Sequence, residues 1–368
     1  MPHLLTAVLG LACLSSSLGA QTDPTVGAQP LDPPFQTERF EFDVAGQTLV
    51  GLLDRPTGRD PSSTVILVHG YGETDVAAGN GYYDLRARLA RVGVSTLVWD
   101  KPGCGQSGGE FDIDQPVQSS ADEVVAAARA LGERGFETGP VGLWGISRAG
   151  WVAPLAMRDE PDLAFWISVS GPDGKENARY LLRENFRIEG RPPEEVQTLV
   201  GEWQARFNTV WQDGTYQDYL DAGPNLDRDP FMAFMGWSTL ASEDDFYSYQ
   251  EGFRTGNLTV DEDDELMVYV PGFASLLASI RRPVLALFGE DDSNVDWRRT
   301  AKLYRETVGA SADASLTIRV FPGANHNIKV CRACGVREMT SPPWDAPYAE
   351  GYHDTIADWL VANSFGER

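Results

Sequence analysis

Short apolar runs separated by amphipathic stretches recur along this 368-residue chain, and that rhythm constrains the fold more than any other feature of the sequence. Residues 64–68, 94–99, 140–143, 163–169, 283–288 and 316–321 each read as a buried strand. Helical patterning follows most of them, at 83–92, 118–131, 151–157, 299–307 and 348–363. Strands that are apolar on both faces need cover on both faces. The alternation therefore predicts an α/β fold with a mostly parallel sheet between two layers of helices. Ahead of it, residues 38–44 alternate polar and apolar, Ala45-Gly46 makes a turn, and 47–53 return as a second strand, which predicts a hairpin with one wet face.

The rhythm breaks over residues 172–278, which contain no good buried strand and are rich in aromatics. Val196, Leu199, Val200, Trp203, Phe207, Val210 and Trp211 recur there at helical spacing, and packing of one helix face accounts for most of them. Asp261-Glu262-Asp263-Asp264-Glu265 reads as solvated chain. An insertion between two core strands lies above the sheet edge where α/β folds take ligands, so 172–278 is expected to be a helical cap. The core is then 36–171 together with 279–368, preceded by a flexible Pro- and Gly-rich arm at 21–35.

The first twenty residues read as a secretory signal, with a short apolar segment at 4–12 and small residues at 15–20. The predicted location is periplasmic or extracellular. Leu11-Ala12-Cys13 also resembles a lipoprotein box, though Gly10 stands where a branched apolar residue is preferred, and lipid anchoring is the second reading. No segment is long enough to span a membrane. The net charge of −24 argues against nucleic acid or an anionic membrane surface as partner, because both require a basic footprint. Removal of Cys13 with the signal leaves Cys104, Cys331 and Cys334. In an oxidising compartment the Cys331–Cys334 pair is expected to form a local disulfide, with a zinc site that includes His326 as the alternative.

Trp144-Gly145-Ile146-Ser147-Arg148-Ala149-Gly150 joins the strand at 140–143 to the helix at 151–157. A serine between small residues on a sharp strand-to-helix turn is a nucleophile elbow, which lifts the hydroxyl clear of the backbone. Ala149 takes the second small position. Of the four histidines, His3 lies in the signal and His353 on the C-terminal helix, while His69 follows the strand at 64–68. His326 sits in the loop after the last core strand, where a general base for Ser147 belongs. A carboxylate that orients this ring is expected past the strand at 283–288, where Glu290, Asp291 and Asp292 stand together.

These segments resemble the α/β-hydrolase superfamily, in its esterase and serine-aminopeptidase-like branch with a helical cap. His69-Gly70-Tyr71-Gly72 is similar to the oxyanion loop of that family. Residues 100–108 resemble its Asp-x-x-Gly-x-Gly-x-Ser turn, 289–295 its acid loop and 323–326 its histidine loop. The resemblance selects Asp292 as the acid and implies oxyanion donors at the backbone N–H groups of Tyr71 and Arg148. It further implies a Ser147–His326–Asp292 triad working through an acyl-enzyme, on a small-molecule substrate, with neither metal nor organic cofactor. Cys104 reads as a packed turn residue. Dehalogenase and epoxide-hydrolase activities do not fit, since those relatives carry Asp where Ser147 stands. Carboxylic-ester cleavage is the first expectation and a peptidase on short peptides the second. A catalytically inactive hydrolase fold serving as a binding module is the reading from another class.

Overall fold

The computed structural model of the protein describes residues 33–79, 81–136, 139–237, 242–263, 265–341 and 346–367. The segment read as a signal and nearly all of the arm lie outside these residues. Eight strands form one sheet in the order β1-β2-β4-β3-β5-β6-β9-β10. A hairpin of β1 (Phe35–Val44) and β2 (Gln47–Pro56) joins it through antiparallel pairing of β2 with β4 (Val94–Trp99). The remaining pairs are parallel and involve β3 (Ser63–Val68), β5 (Val141–Ile146), β6 (Trp166–Val169), β9 (Val284–Gly289) and β10 (Leu316–Phe321). Every residue of β3, β4 and β9 is buried, as expected of strands covered on both faces. The alternation of short apolar runs with helices therefore gives the mostly parallel, doubly covered sheet that was expected.

The hairpin is longer than the sequence pattern indicates. It begins at Phe35, within the stretch read as a flexible arm. Phe35 is buried because its ring packs on Tyr83 with centroids 5.7 Å apart, and its backbone pairs with Pro56. Ala45 and Gly46 both take positive φ, the conformation that a two-residue hairpin turn requires.

Helices α1 (Tyr83–Arg91), α2 (Val117–Glu133) and α3 (Ala149–Asp159) follow β3, β4 and β5. The core has two halves, one on each face of the sheet. Helices α2 and α3 contribute Val124, Leu131, Trp151 and Val152 to one half. Helix α1 contributes Leu85 and Leu89 to the other. A buried ion pair links the hairpin to α1, with Arg86 Nε 2.6 Å from Asp54 Oδ2 and both side chains almost fully excluded from water. Asp54 also accepts hydrogen bonds from Thr37 and Thr96. Removing the cation would leave a buried carboxylate without its charge partner. Arg86→Met is expected to lower stability by about 3–5 kcal/mol, measured as a shift in urea midpoint at unchanged slope.

Between β6 and β9 the chain forms α4 (Ala178–Ile188), α5 (Pro193–Trp211), α6 (Tyr216–Asp221), α7 (Pro230–Met235), α8 (Glu243–Arg254) and α9 (Phe273–Ala278). The apolar face of α5 is shared between two clusters. Val196, Leu199 and Trp203 pack with α4 and α7, while Phe207 and Val210 pack with Tyr219, Phe246 and Tyr249. One feature differs from the helical expectation. Thr259–Asp261 and Leu266–Val268 pair as a small antiparallel hairpin, β7–β8, and the acidic run begins at its turn. The two strands are too short for a period-2 pattern to show in the sequence.

The inserted segment is tied to the sheet edge by polar contacts. Arg299, on α10 (Trp297–Glu306), donates to Asp173 at 3.0 Å and to the carbonyl of Glu176 at 3.0 Å. The Tyr180 hydroxyl on α4 donates to the carbonyl of Asp292 at 2.8 Å. A final helix, α11 (Tyr352–Ala362), covers the face that α1 covers. No helix among the described residues is long and apolar enough to cross a membrane.

Candidate active site

Parallel strands end at one edge of the sheet, and the loops that leave β3, β5, β9 and β10 carry the candidate residues. Ser147 stands between β5 and α3 with φ of 56°, a left-handed conformation unusual for a residue with a side chain. It is held there by its own N–H, which donates to Val169 O at 2.9 Å, and by its carbonyl, which accepts from Gly150 N at 2.7 Å. The turn is tight. A methyl group on Gly145 would lie 2.6 Å from the Ala149 Cβ, so the alanine at the second small position makes glycine obligatory at the first. Such local strain persists only where the surrounding structure imposes it.

Asp292 and His326 meet at the same edge. The Nδ1 of His326 lies 2.8 Å from Asp292 Oδ2, and both residues are buried. The other carboxylate oxygen accepts from the backbone N–H of Asn294 at 2.8 Å and of Val295 at 3.0 Å. Asp291, one residue earlier, is exposed. Gly289 makes the meeting of the two loops possible, because a methyl group there would come within 2.2 Å of the Asn325 carbonyl. With Nδ1 bonded to a carboxylate, the ring's other nitrogen is the free acceptor. His326 Nε2 is buried and has no hydrogen-bond partner, so no such bond joins it to Ser147 in this state.

The β3 loop runs directly beside the elbow. A methyl group on Gly70 would lie 3.5 Å from the Ser147 Cβ, which places the Gly70-Tyr71 peptide against the serine. Arg148 occupies the N-cap position of α3, where the first N–H groups lack partners within the helix. Its guanidinium points away into the protein. It donates to Ser120 Oγ at 2.8 Å and to the Gln115 carbonyl, with its carbon 5.4 Å from the Tyr71 ring centre.

The remaining histidines have other surroundings. His69 donates through Nε2 to the Trp99 carbonyl and stacks on Tyr82. Burial, reinforced by the nearby Lys101 charge, lowers its pKa from 6.5 to about 3. Between those values the unfolded chain binds a proton that the folded chain refuses, so stability is lost as pH falls through that window. The loss is on the order of 1 kcal/mol per pH unit. Urea midpoints followed from pH 7 to pH 4 are expected to fall less steeply in His69→Asn than in the parent. His353 contacts the rings of Tyr348 and Tyr352.

Cys331 and Cys334 are bonded to each other, and Cys104 is a buried free thiol. The disulfide follows the histidine loop directly. Cys331 N donates to Gly323 O at 3.3 Å, and the carbonyl of Cys334 accepts from Ser293 Oγ at 2.8 Å.

Sequence reasoning missed an aromatic cluster packed beside the β3 loop. Trp151, on α3, stacks on Tyr269 with centroids 4.3 Å apart and meets the edge of Tyr71 at 6.5 Å. Tyr249, on α8, has a buried hydroxyl without a hydrogen-bond partner. Burial pushes the Tyr249 and Tyr269 hydroxyls far above their ordinary pKa. Asp114 adds to the shift at Tyr249, and Tyr71 adds to it at Tyr269. No local pattern in the sequence marks Tyr269, because it joins Trp151, far earlier in the chain.

Residues 59–330 match the family described as serine aminopeptidase, S33. The chain belongs to this family. It is therefore a hydrolase of the esterase and aminopeptidase-like branch of the α/β-hydrolases. Among solved structures, it is similar to an esterase of Pyrococcus furiosus, at 16% identity over 91% of this chain and 95% of that one, with a TM-score of 0.51. A proline iminopeptidase of Mycobacterium smegmatis is 20% identical over 89% of this chain and 99% of the other, with a TM-score of 0.50. At such identities the likeness to these two structures is one of fold. Comparison with curated protein sequences finds no match.

Proposed function

We propose that this family member is an exported serine hydrolase that cleaves carboxylic esters. Ser147 Oγ attacks the acyl carbonyl, His326 Nε2 takes its proton, and Asp292 stabilises the imidazolium that forms. The developing oxyanion is met by the N–H groups of Tyr71 and Arg148. The imidazolium returns its proton to the leaving alcohol, and a water activated by the same ring releases the acid. The hydrogen bond from Ser147 to Nε2 forms as substrate settles.

The observation that carries this reading is the Asp292–His326 pair. One carboxylate oxygen is occupied by two backbone N–H groups and the other by Nδ1, which leaves Nε2 as the free base. The aromatic cluster of Tyr71, Trp151 and Tyr269 beside the oxyanion loop supports an apolar or aryl group on the ester. The disulfide and the apolar segment at 4–12 support export.

A peptidase acting on short peptides is the second reading, and one observation favours it. The Asp114 charge helps to raise the pKa values of Tyr249 and Tyr269, and in this reading its carboxylate meets a substrate ammonium group. A panel of p-nitrophenyl esters and aminoacyl p-nitroanilides separates the two. Ester turnover with no anilide turnover supports the esterase. Anilide turnover that is lost in Asp114→Asn while ester turnover survives would replace it with the peptidase.

A further inference from the structure

The Asp-x-x-Gly-x-Gly-x-Ser turn at residues 100–108 plays no part in the chemistry described so far, yet its side chains are closely tied into the sheet edge. Asp100 is fully buried. Its Oδ1 accepts from Val76 N and Ala77 N at 2.8 and 2.9 Å, and its Oδ2 accepts from Gln106 N at 3.0 Å. Ser107 Oγ donates to the Asp100 carbonyl at 2.6 Å and accepts from Val50 N at 2.9 Å. This rigid turn presents Lys101, whose ammonium donates to the carbonyls of Gly70 and Gly72, each at 2.6 Å.

Those two carbonyls flank Tyr71. The carbonyl of Gly70 and the N–H of Tyr71 are opposite ends of one planar peptide group. An ammonium on the oxygen fixes the direction in which that N–H points. It also draws electron density toward the oxygen and leaves the N–H more positive, as in a polarised chain of hydrogen bonds. The second bond, to Gly72, holds the Gly72-Glu73 peptide, so the loop is pinned on both sides of Tyr71. Preorganised donors stabilise a developing oxyanion because they need no reorientation when the charge appears.

We propose that Lys101 is a positioning residue for the oxyanion hole, aligning and polarising the Gly70-Tyr71 peptide without touching substrate. The inference rests on the serine-hydrolase reading, since it gives the Tyr71 N–H a tetrahedral oxyanion to meet. The role is selective for the transition state. The uncharged ester gains little from a strengthened donor, while the oxyanion gains much.

Lys101→Met keeps most of the stem and removes the charge and the donors. The measurement is kcat per active site, with active sites counted by titration with a fluorophosphonate, so that misfolded molecules do not enter. The expected result is a fall in kcat of about 10- to 100-fold with KM within about threefold, smaller than outright deletion of an oxyanion donor. Phenylboronic acid, which forms a tetrahedral anion on the serine, is expected to lose affinity in step with kcat. Lys101→Arg, which can still donate to both carbonyls, is expected to recover most of the rate.

If the methionine variant does not fold, Lys101→Gln gives the same readout, with an expected smaller loss in the same pattern. A kcat per titrated site within about twofold of the parent overturns the proposal, and so does boronate affinity that is unchanged while kcat falls. A parent protein that neither reacts with the fluorophosphonate nor turns over ester fails in a different way. That result removes the serine-hydrolase reading and the Lys101 role together.

Discussion

Ser147→Ala is expected to lower ester turnover by roughly five orders of magnitude, and the variant should take up no fluorophosphonate. The size of the effect follows from the elbow. Ser147 is the only hydroxyl placed by the β5–α3 turn, and the main-chain bonds from its N–H to Val169 and from Gly150 to its carbonyl do not involve the side chain. Alanine can keep the same backbone, since the left-handed φ of 56° costs it no more than it costs serine. The variant should therefore melt close to the parent temperature, and the loss of rate is then chemical rather than structural. Peptide mapping of the labelled parent is expected to return the fragment containing Ser147. Labelling that survives in Ser147→Ala would sink the mechanism, as would an activity abolished by a metal chelator.

Asp292→Asn is expected to reduce kcat/KM by about 10³- to 10⁴-fold while leaving the fold intact. The argument comes from the hydrogen-bond set of this carboxylate. One oxygen accepts from Asn294 N and Val295 N, and these two donors would hold an amide oxygen in the same place. The amide NH₂ would then face His326 Nδ1, where Asp292 Oδ2 now lies at 2.8 Å. A donor at that position requires Nδ1 to be the acceptor, which moves the ring proton to Nε2. The base would then present a proton to Ser147 instead of a lone pair. Rate constants across a pH series, with thermal melts as the control for folding, test this directly. A loss of less than about tenfold would show that Asp292 does not set the tautomer.

Much of this site could be read from the chain because its parts are local. The small residues around Ser147, the glycine that ends β9 and the loop bearing His326 each fall within a few positions of a strand end, although β10, read as a buried strand, is a half-exposed edge strand. A parallel sheet brings the ends of such strands together whatever the connections between them. The sequence order serine, acid, histidine could then be mapped onto one edge. The choice among Glu290, Asp291 and Asp292 was less local. It came from resemblance, and the physical basis is the turn after β9, which buries Asp292 against His326 and leaves Asp291 in solvent.

Other features had no local signature. Tyr269 reaches Trp151 only through the packing of the inserted segment on α3. The Asp54–Arg86 pair joins residues 32 positions apart on a strand and a helix. Lys101 reads in sequence as one residue of a glycine-containing turn, and its partners lie some thirty positions earlier on another loop. The start of β1 at Phe35 was hidden by the prolines before it, since composition weighed against structure until the ring found Tyr83.

By itself, the sequence determined the class of fold, the strand ends where chemistry can occur and the residue types that stand there. Apolar periodicity and turn residues act over short distances, so they are written in short segments. The tertiary structure decided which carboxylate holds the histidine, that the Arg148 guanidinium serves the interior and what steadies the β3 loop. Those are contacts between segments far apart in the chain, and each depends on the packing of whole elements rather than on any single stretch of residues.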